Sequence, residues 1–167
     1  MIILGIDPGY AIIGWGVLEH KANKFRVIDY GAVTTEAHTP FPLRLQTIYT
    51  EMNMIFDKYH PEVMSMEKLF YNNNAKTVID VAQARGVITL SAQMHNADIF
   101  EYTPLQVKQS VTGYGRAVKK QVQEMTRLIL NLEKIPKPDD TADALAMAIC
   151  HGHASGSLLG AYGKFLK

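Results

Sequence analysis

The sequence predicts one α/β domain, a mixed sheet with helices on its faces. Three observations lead there. Three β-prone apolar segments open the chain with only turn or polar residues between them. Two further short apolar segments then alternate with stretches of helical spacing. The length, 167 residues, suits a single domain. Hydrophobic residues make up 47% and charged residues 20%, which excludes a disordered or collagen-like chain. A domain this long buries roughly 70% of its unfolded surface, so its core needs no disulfide or structural metal. The single cysteine, Cys150, has no internal partner and excludes a Cys-rich zinc site; it fits a reducing cytosol.

Ile2 to Ile6 is a short apolar run that stops at the turn signature Asp7-Pro8-Gly9. Gly14 to Leu18 and Phe25 to Val33 resume the β-prone pattern, so the opening reads as an antiparallel meander of three strands. Thr34 to Pro42 is a loop with two prolines. Leu43 to Tyr59 has helical spacing and ends at Pro61. Val63 to Met66 is a strand that terminates at Glu67. Asn72 to Asn74 form a loop before a helix from about Ala75 to Met94, with Val78, Val81, Ala82, Val87 and Leu90 expected inward. Ile99 to Tyr102 is a strand, and Thr103-Pro104 marks a helix start. Gly113-Tyr114-Gly115 breaks the pattern before an amphipathic helix, Val118 to Leu132. Ile135 to Pro138 is a loop, and Asp139 or Asp140 caps a last helix through Cys150. The expected division is a domain over 1–155 and a glycine-spaced tail over 156–167. The strands that alternate with helices should run parallel to the first.

Charge is asymmetric. Residues 1–103 carry 8 Lys and Arg against 11 Asp and Glu, while residues 104–167 carry 9 against 5. A basic C-terminal half is a weak pointer to a polyanionic partner. No apolar run approaches the ~18–20 residues of a membrane span. The opening segment has no basic leader, so no targeting signal is expected.

Four acids stand in unusual places. Asp7 ends the first strand at a sharp turn, and Glu67 ends the strand that begins at Val63. Asp140 and Asp143 lie three apart at the start of the last helix and so share one face. Strand ends are where open α/β sheets gather ligands. If the first and fourth strands are neighbours, Asp7 and Glu67 lie side by side, and a helix start packed on them adds Asp140 and Asp143. Four clustered carboxylates repel one another unless cations neutralise them. All-oxygen ligands suit Mg²⁺ or Mn²⁺ rather than zinc. Two such ions about 3.5–4 Å apart can clamp the attacking and leaving oxygens of a phosphoryl displacement. Singly, each acid also has a plainer reading: Asp7 as a turn residue, Glu67 as a solvated strand end, Asp140 as a helix cap and Asp143 as first-turn charge. His151 and His153 are two apart, fall on different helix faces and read as polar residues of a helix end.

Seven blocks resemble the RuvC family, the bacterial Holliday-junction resolvases. They are Gly5-Ile6-Asp7-Pro8-Gly9, Glu67-Lys68-Leu69-Phe70, Gln83-Ala84-Arg85-Gly86 and Tyr102-Thr103-Pro104-Leu105-Gln106-Val107-Lys108, then Thr112-Gly113-Tyr114-Gly115, Lys119-Lys120-Gln121-Val122 and Asp140-Thr141-Ala142-Asp143-Ala144-Leu145-Ala146. They stand in order over about residues 2–153. The resemblance implies an RNase H-like fold with a mixed five-stranded sheet, and catalytic, metal-binding carboxylates at Asp7, Glu67, Asp140 and Asp143. It implies two Mg²⁺ ions per site, with Mn²⁺ able to substitute. It implies a cytoplasmic homodimer that nicks two strands of like polarity across four-way DNA, leaves ligatable 5′-phosphates and acts with the RuvA–RuvB branch-migration complex. Phe70 would stack on an unpaired base, a contact worth ~1–3 kcal/mol. Lys108, Arg116, Lys119 and Lys120 would meet DNA, with Lys108 and Lys119 at the rim of the active site and Lys119 and Lys120 at a helix start that already favours phosphate. Arg85 would instead pair with an acid across the fold. Tyr10-Ala11 departs from the small polar residues that many relatives carry there.

Three rival readings fit less well. An actin-like ATPase needs two domains and a second phosphate loop, which 167 residues do not supply. A YqgF-type RNA nuclease shares the fold but fits the blocks at Glu67, Lys108 and Gly113 less well. A junction-binding scaffold would keep the fold without cutting, but all four acids are intact.

Overall fold

A computed structural model describes residues 1–68 and 75–155. Phe70, the loop at 72–74 and the tail 156–167 lie outside the described residues. The strands are β1 (Ile2–Asp7), β2 (Ile12–Lys21), β3 (Lys24–Thr34), β4 (Val63–Glu67) and β5 (Asp98–Tyr102). The helices are α1 (Phe41–Tyr59), α2 (Ala75–Met94), α3 (Pro104–Thr112), α4 (Lys119–Ile129) and α5 (Asp139–Ala154). The five strands form one sheet in the order β3-β2-β1-β4-β5. β1, β2 and β3 pair antiparallel, while β4 and β5 run parallel to β1, as the element order predicts.

Alternation along β1 sorts its side chains between two cores. Leu4 and Ile6 join the core under α1 and α2. Ile3 joins the core that holds α3, α4 and α5. Gly5 and Asp7 share the parity of Ile3 and so face α5. That face is short of side chains where the helix crosses it. A Cβ on Gly5 would stand 2.0 Å from the Ala144 carbonyl oxygen, and one on Gly14 would stand 2.0 Å from that of Asp140. Glycine there lets the α5 backbone lie almost on the sheet. The alanines at 142, 144, 146 and 148 are buried along the same helix. Thr141 Oγ1 donates to the Gly31 carbonyl at 3.0 Å and pins the start of α5 across the meander.

Several expectations need correction. α2 turns inward chiefly through Ala84, Ile88 and Ala92; of the residues expected inward, Val87 packs against that core, whereas Ala82 and Leu90 are exposed, Leu90 by 53%. The residues named from the sequence do not lie on one side of the helix; the buried face combines Ala84 and Ala92 with the larger Ile88 where α2 packs against α1 and the sheet. α4 begins one residue late and stops at Ile129, and α5 runs on to Ala154. Neither Asp139 nor Asp140 caps α5: Pro138 precedes the helix and both acids lie in its first turn. His151 is not an end-of-helix surface residue. It is buried, its Nδ1 is 2.8 Å from the Tyr102 hydroxyl, and burial pushes its pKa down to about 4. Cys150 is buried, with its thiol pushed up to about 12. Among the described residues no helix is long and apolar enough to cross a membrane.

Candidate active site

The site is built by three elements. Ile3 to Ile6 of β1 pair with Val63 to Met66 of β4, so Asp7 and Glu67 follow side by side at the carboxyl ends of parallel neighbours. On the other side, Asp7 stands directly opposite Gly14 of β2. Because Gly14 has no side chain, the first turn of α5 drops onto this point. That brings Asp140 and Asp143 to Asp7 from above the sheet.

Electrostatics record the crowding. Burial, then the charges of Asp143, Asp140 and Glu67, raise the Asp7 carboxyl to about 7. Burial and Asp143 also raise Glu67, while Arg85 and Lys108 oppose the shift. Lys119, the first residue of α4, places Nζ 2.7 Å from Asp143 Oδ2 and 4.0 Å from Asp139 Oδ2. Its own pKa is raised, chiefly by the hydrogen bond to Asp143. Arg85 lies buried behind the site. It forms an ion pair with Glu101 and donates to the Glu67 backbone carbonyl, so it fixes the end of β4 instead of facing solvent.

A cleft of about 180 Å³ opens here, lined by Glu67, Lys108, Lys119 and Asp143 over Pro104, Val107, Val122, Ala146 and Met147. Thr103 and Gln106 close a capping box that starts α3, which carries Lys108 to the cleft. Arg116 is exposed on the turn between α3 and α4. Lys120 lines a separate groove beside Tyr114, Val118 and Met125. The structure thus gathers Asp7, Glu67, Asp140, Asp143, Lys108 and Lys119, and leaves Arg116 and Lys120 outside the cleft.

A divalent cation suits this donor set. The oxygens are hard, the surroundings are partly dry, and both the burial and the carboxylate repulsion that raise Asp7 are what a cation would offset. Among the described residues no three acidic, His or Cys side chains converge on a single point as they stand. One of the acids is held by the Lys119 ammonium. Sequence reasoning misses the parts that support the site: Gly14 beneath α5, Thr141 on Gly31, and the cluster of Tyr10, Thr35 and Arg44 behind the first turn. Tyr10 is the one visible signal, as a departure from the family pattern.

Residues 3–151 match the family described as crossover junction endodeoxyribonuclease RuvC. A protein of that name from Alkaliphilus oremlandii is 58% identical over 153 residues, 92% of this chain and 93% of its own. One from Ruminiclostridium cellulolyticum is 57% identical over 162 residues, 96% and 98% of the two chains. Among solved structures, Thermus thermophilus RuvC in complex with a Holliday junction superposes with a TM-score of 0.89 at 27% identity, covering 99% of this chain and all of the other.

Proposed function

The chain belongs to the RuvC family of crossover junction endodeoxyribonucleases, and we propose that it resolves four-way DNA junctions by metal-dependent, paired nicking of two strands of like polarity. The observation that carries the reading is the meeting of acids from β1, β4 and α5, with Glu67 and Asp143 lining a cleft that Lys108 and Lys119 also line and Asp7 coupled to both. Asp7, Glu67, Asp140 and Asp143 would hold the metal, two Mg²⁺ per site with Mn²⁺ able to substitute. Bound metal would supply a more acidic water and neutralise charge on the leaving oxygen. Lys108 and Lys119 attract the scissile phosphate and offset its growing charge. Water oxygen bonds to phosphorus, the bond to the 3′ oxygen breaks, and a 3′-hydroxyl and a 5′-phosphate remain. The nuclease domain is residues 1–155, and it works in the cytoplasm beside the RuvA–RuvB machinery.

A synthetic junction, the matching linear duplex and an RNA hairpin, each with Mg²⁺ or with chelator, test this reading. Symmetric ligatable nicks in the junction alone, lost with chelator, are expected. A shifted but uncut junction would favour a scaffold, and cleavage of the RNA alone would favour an RNA nuclease. Phe70, Arg116 and Lys120 are proposed as DNA contacts. Phe70→Ala should slow junction nicking by about tenfold or more, the cost of one stacked base, while duplex affinity is kept; nicking at the parental rate would remove the stacking role.

Paired nicks call for two sites, hence a second copy of the chain. On the outer side of α2, Ile79, Leu90 and Met94 are 65%, 53% and 57% exposed. Such an apolar stripe suits a twofold helix contact. Leu90→Asp should turn a dimer into a monomer by light scattering and uncouple the two nicks. A variant that stays dimeric would move the interface elsewhere.

A further inference from the structure

We infer that Arg44 is a positioning residue for the turn that carries Asp7, acting together with Thr35 through the Tyr10 carbonyl. The inference rests on the reading of Asp7 as part of the nuclease site. After Asp7 the chain turns through Pro8, Gly9, Tyr10 and Ala11 into β2. The turn is tight, since a Cβ on Gly9 would meet the Ile12 carbonyl oxygen at 2.1 Å. The Asp7 side chain faces α5, so that face cannot brace the turn without intruding on the carboxylates.

The brace comes from α1. Arg44, early in that helix, donates from Nε to Thr35 Oγ1 at 2.8 Å. Thr35 Oγ1 in turn donates to the Tyr10 carbonyl at 2.6 Å, and its backbone N–H donates to the Ala11 carbonyl at 3.0 Å. Arg44 Nη2 makes a longer contact with the same Tyr10 carbonyl, 3.4 Å. The guanidinium lies over the Tyr10 ring, 4.6 Å from its centroid, and the ring leans on Phe41 at 6.2 Å. One cation therefore grips both ends of a single residue, its ring and its carbonyl, three positions after Asp7. A planar fork lies flat on the ring while its separate nitrogens reach Thr35 and the carbonyl, a spread of donors that a compact ammonium lacks. Among the described residues the guanidinium donates to this turn and to Thr35, and it forms no ion pair with an acid. Displacement of a reacting group by about 1 Å can cost about 10²-fold in rate.

The test compares single-turnover nicking at saturating protein with junction affinity in chelator. Arg44→Ala should nick about tenfold to a hundredfold more slowly, with affinity within about twofold of the parent. Arg44→Lys should not restore the rate, and Tyr10→Phe, which keeps ring and carbonyl, should leave it unchanged. Thr35→Val should be slower too. The double variant Arg44→Ala with Thr35→Val should be no slower than the worse single one, because both act through one carbonyl. Affinity falling in step with rate would make Arg44 a DNA contact and overturn the inference, as would additive losses. Hydrogen exchange reads the clamp without cleavage. In Arg44→Ala, amides at 9–12 should exchange faster while those of α5 do not. Unchanged exchange there overturns the clamp even if the parent protein fails to cut junctions, an outcome that would by itself sink only the nuclease reading.

Discussion

Asp7→Asn should abolish junction nicking, by about 10³-fold or more, and leave junction affinity almost intact. The loss corresponds to several kcal/mol of transition-state stabilisation at about 1.4 kcal/mol per tenfold. Affinity comes from phosphate contacts spread over a wide surface, which one neutralised acid barely alters. The same substitution should stabilise the metal-free protein. Asp7 is raised to about 7 in the fold, from an ordinary carboxylate value near 3.8. Between those values the native state binds more protons than the unfolded chain, so this group's contribution to stability falls as pH rises through the window and levels off above about 7. The neutral amide of the variant carries no such dependence. At pH 8 in chelator the variant should melt higher, by roughly 2–4 °C for each kcal/mol of repulsion relieved, and the gain should shrink toward pH 4. Calorimetric melts at both pH values check the sign. A variant that melts lower at pH 8 would contradict the strain of burying and crowding Asp7, and one that loses affinity as fully as it loses cleavage would contradict its role in chemistry apart from binding.

Gly14→Ala should damage the site from beneath. Its Cβ would meet the Asp140 carbonyl oxygen at 2.0 Å, the Asp140 carbonyl carbon at 2.2 Å and the Thr141 amide nitrogen at 2.8 Å. These are backbone atoms of a helix already pinned to Gly31, so no side chain can swing aside. The start of α5 must lift, carrying Asp140 and Asp143 away from Asp7. Overpacking of this kind costs about 1–3 kcal/mol. Nicking should fall further than stability implies, by about 10²-fold, because the displaced groups are the carboxylates proposed to hold the metal. A circular dichroism melt and a nicking rate below the melting range separate the two effects. Full activity at Gly14→Ala would mean that the depth of α5 does not set the geometry of the acids.

Much of this is legible in the sequence, for identifiable reasons. The meander, the later parallel strands and the start of α3 follow from short β-prone apolar runs bounded by turn residues and from Thr103-Pro104, which are local signals. The four acids stand out because each ends a strand or opens a helix. Their meeting depends on β4 lying beside β1, which pattern alone leaves conditional. Gly5 and Gly14 read as mere interruptions of strands, because the helix that needs them comes more than a hundred residues later. The face of α2 is misleading because Leu90 outranks Ala84 and Ala92 in hydrophobicity, yet the two alanines flank Ile88 on the buried side while Leu90 stays exposed. His151 has the look of a surface residue until Tyr102, from β5, gives its ring a buried partner.

Whether acids from β1, β4 and α5 share a metal is tested most directly by Mn²⁺ titration followed by electron paramagnetic resonance, on the parent protein and on Asp7→Asn, Glu67→Gln and Asp143→Asn. A shared site predicts Mn²⁺ binding by the parent, displaced by Mg²⁺, and a marked loss of affinity in each of the three variants. Retention of parental Mn²⁺ affinity in all three would mean that these carboxylates do not form a shared metal site.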